Sequence, residues 1–198
     1  MTTLSALFPS LLDEILFWAV FVWVVLVGHF LAILRAGGER QPVRKKATEP
    51  LVPMLSLFLF GIIVIPILVG YARLGVLSSY LFYPGLAIMI VGFAMYYWAV
   101  LTLGHFGSGF VRVIPDHKVI QNGPYRLVRH PVYAGEILSF IGLGLALQSW
   151  VALLIILVTA SVFYSNRIRI EEKFLTAELG DDYVQYMKSV KRIIPHIL

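Results

Sequence analysis

Two histidines (His117 and His130), two arginines (Arg126 and Arg129) and two tyrosines (Tyr125 and Tyr133) fall within the eighteen residues Asp116 to Tyr133, DHKVIQNGPYRLVRHPVY. This is the longest polar interruption in a chain that is 59% hydrophobic and 14% charged. Its residue types suit the binding of something polar and charged. Pro131 belongs in the first turn of a helix, and His130 before it is pushed out of helical geometry. That first turn presents free N–H groups and the positive end of the helix dipole. With Arg129 and His130 beside it, the chemistry expected is capture of a carboxylate or phosphate. Asn122-Gly123-Pro124 reads as a tight turn that folds the stretch back, leaving Tyr125 to stack on a planar ligand.

A second group of charges follows at Arg167, Arg169, Glu171 and Glu172. Arg167 and Glu171 are spaced i,i+4 and share a helix face. Glu172 is rotated by about 100° and is expected to point elsewhere. A salt-bridged helix beside a membrane would account for this group without any function. Glu136 is the only charge between Pro131 and Asn166. An ionisable group at such a place is a functional candidate by default, although an interfacial charge is the plain alternative. His29 and His105 read as structural. The chain has no cysteine, which excludes disulfides, thiolate metal sites and a cysteine nucleophile.

The elements that position these groups are long apolar runs. In lipid every backbone group must be satisfied internally, and continuous rather than alternating apolar runs select helices over a barrel. Ile15 to Leu34, Leu51 to Gly70 and Tyr80 to Leu103 carry no formal charge, and each is long enough to span about 30 Å of hydrocarbon. Asp13-Glu14 before the first run, and the run's length, favour a retained helix over a signal peptide. Pro66 is expected to kink or end the second run. Pro131 to Asn166 would extend about 54 Å as one helix, too long for one crossing. A tight helical hairpin turning at Gln148-Ser149 is therefore expected. Gly180 is placed to end the helix that follows, and Asp181-Asp182 to cap the next.

Charge placement tests the count. Of sixteen Lys and Arg, five lie in 35–49, four in 104–130 and six in 167–198, with Arg73 alone elsewhere. Five crossings put the three basic segments on one side and Arg73 on the other; four would not. The positive-inside rule then places the N-terminus outside and the tail in the cytoplasm. The expected fold class is an all-α integral membrane protein of five transmembrane helices, the last two a hairpin. It forms a single domain, with three helices in 1–103 and the binding half in 104–198. The net charge of +5 is explained by topology, so no nucleic-acid partner is implied.

The segment HKVIQNGPYRLVRHPVY, then a hairpin, then RIRIEEKFLTAELGDDYVQYM, resembles the membrane-embedded isoprenylcysteine carboxyl methyltransferase and phospholipid methyltransferase superfamily. The likeness covers about residues 117–187 and includes both of the family's motif blocks in order; residues 1–100 share only hydrophobic helices. Val119-Ile120 stands where Leu-Val is commoner, a conservative departure. The resemblance implies S-adenosylmethionine as methyl donor and no metal. By position it implies that His117, Lys118, Val119, Ile120, Tyr125, His130, Pro131, Val132, Tyr133 and Glu171 bind the donor, whose carboxylate also suits Arg129. It implies that Arg167 sits beside the acceptor as the catalytic residue; Glu136, by its place near the start of the fourth helix, is a further candidate substrate contact. The acceptor would be a lipid or prenylated amphiphile entering from the membrane. Carboxyl O-methylation and phospholipid amine N-methylation both remain open at this point. So do an NADPH-dependent membrane reductase of the sterol reductase kind and a non-catalytic lipid-binding protein.

Overall fold

The computed structural model describes residues 7–24, 45–46, 51–106, 112–113 and 118–194. Asp116, His117, His29 and most of the 35–49 connector lie outside these described residues, as does the side chain of His105. The first helix, α1 (Leu11–Phe21), begins four residues earlier than the uncharged run. Ser10 caps it by accepting from the Asp13 N–H at 3.2 Å, and Asp13 and Glu14 occupy its first turn. Acidic groups there are favoured by the dipole, so charge does not delay the helix.

The second run becomes α2 (Leu51–Leu59) and α3 (Ile65–Tyr71), joined by a wide π turn over Phe60–Val64. Pro66 sits at the start of α3. It has no N–H to give to the preceding turn, and its ring crowds the carbonyl four residues back. The π turn absorbs both problems, so the helix widens before the proline instead of stopping at it.

The third run is α4 (Phe82–Leu103), introduced by a 3-10 turn at Ser79–Leu81. The expected hairpin follows as α5 (Pro131–Ala146) and α6 (Trp150–Leu179). Its turn is fastened at several points. Gln148 takes a positive φ of 52°, and the Ser149 side chain caps α6 by accepting from the Ala152 N–H at 3.1 Å. The Leu77 N–H donates to the Gln148 carbonyl at 2.7 Å, and the Trp150 N–H donates to the Gly75 carbonyl at 2.8 Å. Gly180, at φ 59°, ends α6, and α7 (Asp181–Ser189) follows. Asp181 and Asp182 stand in the first turn of α7, where they meet its dipole instead of capping it.

Two of the described helices are long and apolar enough to cross a membrane, Ser79–Leu103 and Trp150–Leu179; Leu55–Tyr71 and Pro131–Ala146 are shorter apolar helices. A two-residue antiparallel pairing joins β1 (Lys45–Lys46) to β2 (Arg112–Val113), so two of the three basic segments meet through their backbones.

The bundle's tightest seam is between α4 and α5. A Cβ on Gly92 would meet the Ser139 nitrogen at 2.4 Å, and one on Gly135 would meet the Tyr96 nitrogen at 2.5 Å. Gly85 and Gly142 repeat the pattern seven residues away on each helix, with contacts of 2.4 Å to backbone nitrogens of Ala146 and Met89. Seven residues is two turns, so each helix presents one bare stripe and the backbones close directly on one another. Ser139 adds a hydroxyl bond to the Met89 carbonyl at 3.1 Å. This seam sets the position of α5, whose first turn carries His130 to Tyr133.

Candidate active site

The site forms where the start of α5 meets the far end of α6. Pro131 opens α5, His130 is its N-cap at φ −121° and ψ 60°, and no side chain caps the first turn. The connector arrives through a 3-10 turn, Gly123–Arg126, in which Pro124 and Tyr125 are buried. Gly123 has φ 55°, as the expected turn requires.

α6 continues beyond its apolar run and brings Arg167, Glu171 and Glu172 to this start. The Tyr133 hydroxyl donates to Glu171 Oε2 at 2.6 Å, and Arg167 Nε donates to the Tyr133 oxygen at 3.4 Å. Arg167 is buried, at 6% exposure. The His130 ring lies parallel to the Tyr133 ring with centroids 5.6 Å apart, and its Nδ1 stands 3.8 Å from Glu171 Oε2. Tyr133, Arg167, His130 and Glu171 therefore form one contiguous group. Deeper in the bundle, the Tyr133 ring packs on Tyr164 at 5.2 Å, and the Tyr164 hydroxyl donates to Glu136 Oε2 at 2.9 Å.

Glu172 does point elsewhere than Arg167 and Glu171, but into the protein and not into solvent. It is 6% exposed and is the hub of the site's outer side. Its Oε1 accepts from Arg129 Nη2 at 2.7 Å and lies 3.3 Å from His130 Nε2; its Oε2 accepts from Arg192 Nη2 at 2.8 Å. The helical rotation is as expected, but the face it selects is covered by the chain's own tail. The tail runs beside the connector: Val128 and Lys191 form a parallel bridge, the Arg129 N–H donates to the Lys191 carbonyl at 2.7 Å, and the His130 N–H donates to the Arg192 carbonyl at 2.9 Å.

Arg129 differs from expectation for the same reason. Its guanidinium is committed to Glu172 and to the carbonyls of Met187 and Val190. It braces the connector against the end of α7. Among the remaining candidates, Lys118 is exposed, Val119, Ile120 and Val132 are half-buried, and Pro131 is buried. The Tyr125 ring is 6% exposed, and its hydroxyl is buried without a hydrogen-bond partner among the described residues. Burial, and then the nearby Glu171 carboxylate, push that hydroxyl well above its ordinary pKa, so it is a neutral donor. The Tyr186 hydroxyl secures Tyr125 from behind, donating to its carbonyl at 2.7 Å.

Glu172, Arg192 and Tyr164 were missed by sequence reasoning as parts of this arrangement. For Glu172 a signal existed in the Glu-Glu pair, since adjacent carboxylates about 100° apart can serve two neighbours. For Arg192 there was none.

Burial alone would raise the Glu172 pKa. The hydrogen bonds from His130, Arg192 and Arg129 outweigh it and hold the group at about 2, against 4.5 ordinarily. A carboxylate whose pKa is depressed on folding contributes stability that is fully present above the unfolded value and lost as pH falls through the folded one. Thermal melts are therefore expected to fall between about pH 4.5 and pH 2, and Glu172→Gln should flatten that part of the profile. An unchanged slope in the variant would show that other carboxylates carry it.

Residues 85–177 match the isoprenylcysteine carboxyl methyltransferase (ICMT) family. A protein of Oryza sativa subsp. indica named as a probable protein-S-isoprenylcysteine O-methyltransferase is 33% identical over 117 residues, which is 58% of this chain and 61% of the rice protein. The protein-S-isoprenylcysteine O-methyltransferase of Saccharomyces cerevisiae is 36% identical over 101 residues, 50% of this chain and 42% of the yeast protein. The chain thus spans about three fifths of the rice relative's length and less of the yeast one's. The solved structure of the eukaryotic intramembrane Ras methyltransferase ICMT superposes with a TM-score of 0.72 at 24% identity, over 93% of this chain and 68% of that one. That likeness concerns the fold, and it is the fold of an integral membrane protein. Residues 85–177, which hold the α4–α5 seam and the Tyr133–Arg167–Glu171 group, are the part of the chain that resembles the isoprenylcysteine carboxyl methyltransferase family.

Proposed function

We propose that the chain is an S-adenosylmethionine-dependent methyltransferase acting on the carboxylate of a prenylcysteine-type amphiphile at the cytoplasmic membrane face. The observation that carries this reading is the buried Arg167 guanidinium hydrogen-bonded to the Tyr133 hydroxyl that also holds Glu171. It joins an anion-seeking group to the family's motif residues at one point. Five crossings with the N-terminus outside complete the reading; the backbone pairing of Lys45–Lys46 with Arg112–Val113 supports a common side for those two basic segments.

The residues present suit the donor. When bound, S-adenosylmethionine supplies an electrophilic methyl group on a sulfonium. The partnerless Tyr125 hydroxyl offers a donor at a buried position where a ligand acceptor would satisfy it. The uncapped N–H groups of the α5 first turn suit a carboxylate, and Glu171 suits an ammonium. Val119 and Ile120 would line the same pocket through backbone groups, and His117 would join them from outside the described residues. Arg167 would hold the acceptor carboxylate in a fixed orientation through its planar fork. The apolar walls of α5 and α6 exclude water from the reacting centre and admit the acceptor's tail from the lipid. An amine acceptor would meet a guanidinium that repels its protonated form.

The test is calorimetric titration of nanodisc-reconstituted protein with S-adenosylmethionine and, separately, NADPH, followed by radiolabelled methyl transfer to a farnesylcysteine carboxylate and to phosphatidylethanolamine. Binding of NADPH without S-adenosylmethionine would overturn the reading, and label on the phospholipid alone would move it to N-methylation. A charge-assisted hydrogen bond contributes about 1.5–3 kcal/mol. Glu171→Ala is accordingly expected to weaken S-adenosylmethionine roughly ten- to a hundredfold. Unchanged affinity would remove Glu171 from the donor pocket.

A further inference from the structure

We infer that Glu172 and Arg192 are a positioning pair through which the C-terminal segment holds His130, and with it the mouth of α5, in the geometry that receives the methyl donor. This rests on the donor reading above but adds a role for Glu172, and adds Arg192 and a tail segment that lie beyond the motif blocks. Glu172 touches neither Tyr133 nor Arg167 among its hydrogen-bond partners. Its contacts are Arg129, His130 and Arg192, the first two at the end of the connector and the third in the tail.

Three observations make the arrangement a strap. The tail's backbone takes both N–H groups that precede Pro131, those of Arg129 and His130, at 2.7 and 2.9 Å. Because Pro131 has no N–H, these are the last two backbone donors before the helix, and they fix the direction in which it starts. Second, Arg129 Nη1 donates to the carbonyls of Met187 and Val190, so the connector also grips the end of α7. Third, Glu172 stands between two guanidiniums brought from opposite sides, Arg129 at 2.7 Å and Arg192 at 2.8 Å. Without its charge the buried Arg129 guanidinium would lose its carboxylate partner and the half-exposed Arg192 its anchor on the connector. The pair therefore locks strap to connector only while both charges are present.

The consequence for His130 is specific. Its Nε2 is directed at Glu172 at 3.3 Å, and its Nδ1 lies on the side of Glu171 and Tyr133. An ionised Glu172 accepts only, so it holds a proton on Nε2 and fixes the ring with Nδ1 on the side of Glu171. Glu172 thus orients a donor-facing ring without facing the donor itself. Arg192 is half exposed on its outer side, so it is the member that can be changed with least damage to the core.

The experiment uses the full chain in nanodiscs with Arg192→Ala, Arg192→Lys and Glu172→Gln, and with Lys191→Ala as control, because the exposed Lys191 contributes its carbonyl only. In ligand-free protein, hydrogen exchange at the Arg129 and His130 amides is expected to accelerate about tenfold or more in Arg192→Ala and Glu172→Gln. It should remain as in wild type in Lys191→Ala and be largely restored in Arg192→Lys. Nitrogen-15 shifts of His130 should move in Glu172→Gln, whose neutral amide oxygen is a weaker acceptor for Nε2–H than the carboxylate. With S-adenosylmethionine, a misplaced mouth costs on the order of 10- to 100-fold. That loss should fall on the donor's Kd and KM, with kcat at saturating donor retained. Wild-type exchange rates and donor affinity in Arg192→Ala would overturn the inference even if Glu172→Gln failed to fold. If wild type bound no S-adenosylmethionine, the donor reading would fall, and unaltered amide exchange in Arg192→Ala would separately sink the strap.

Discussion

Arg167→Ala is expected to reduce methyl transfer by roughly 10²- to 10³-fold while changing S-adenosylmethionine affinity by less than about threefold. Arg167 is 6% exposed, and its Nε reaches the Tyr133 hydroxyl at 3.4 Å. Glu171 is bound to the same hydroxyl at 2.6 Å, so Tyr133 stands between the arginine and this carboxylate. Its loss should fall on acceptor orientation. Arg167→Lys should rescue little, because an ammonium cannot reproduce the planar bidentate fork. The check is calorimetry for the donor and label transfer for the rate, on protein whose melting temperature is measured in parallel. Equal loss of donor affinity and rate in a folded variant would assign Arg167 to the donor pocket and withdraw its acceptor role.

Gly92→Ala and Gly135→Ala are expected to be strongly destabilising single-methyl additions. Alanine is the better helix former by about 1 kcal/mol, so on propensity alone both changes would stabilise. The added Cβ atoms, however, meet backbone nitrogens at 2.4 and 2.5 Å, where no rotamer change can relieve them. The helices would have to separate by about an ångström, losing the seam's dispersion contacts and the Ser139–Met89 bond, at a net cost of about 3 kcal/mol or more. Gly61→Ala is the comparison: its methyl meets only the Thr159 side chain, at 3.1 Å. That variant should lose less than about 1 kcal/mol. Thermal unfolding with size-exclusion profiles measures the difference. Melts for Gly92→Ala no lower than for Gly61→Ala would show that α4 and α5 are not in backbone contact. Because α5 carries His130 and Tyr133, any Gly135→Ala protein that does fold should also bind the donor weakly.

The seam was only half legible. Gly85 and Gly92, and again Gly135 and Gly142, are seven residues apart in the sequence, but a stripe of small residues does not name its partner. Helix ends were more readable. Pro131, Gln148-Ser149 and Gly180 act on the few residues beside them, and the hairpin and the end of α6 form where those residues require. Pro66 was read correctly as a disturbance, but the neighbouring turns chose a π turn over an end, a choice made by what surrounds the helix.

The candidate site divides in the same way. Asp116 to Tyr133 and Arg167 to Glu172 stand out as polar chemistry in an apolar chain, and helical spacing places Arg167 and Glu171 on one face. Local pattern and composition determined that much: an all-helical chain, a hairpin, and two charged blocks able to hold a polar ligand. Which carboxylate is buried, which arginine is committed and what holds His130 were decided only by the folded chain. Glu172 meets Arg129 across 43 positions and Arg192 across 20. No periodicity reports contacts of that range, because the energy of a buried charge depends on every group that replaces its water, and those groups assemble only when the tail closes on the connector.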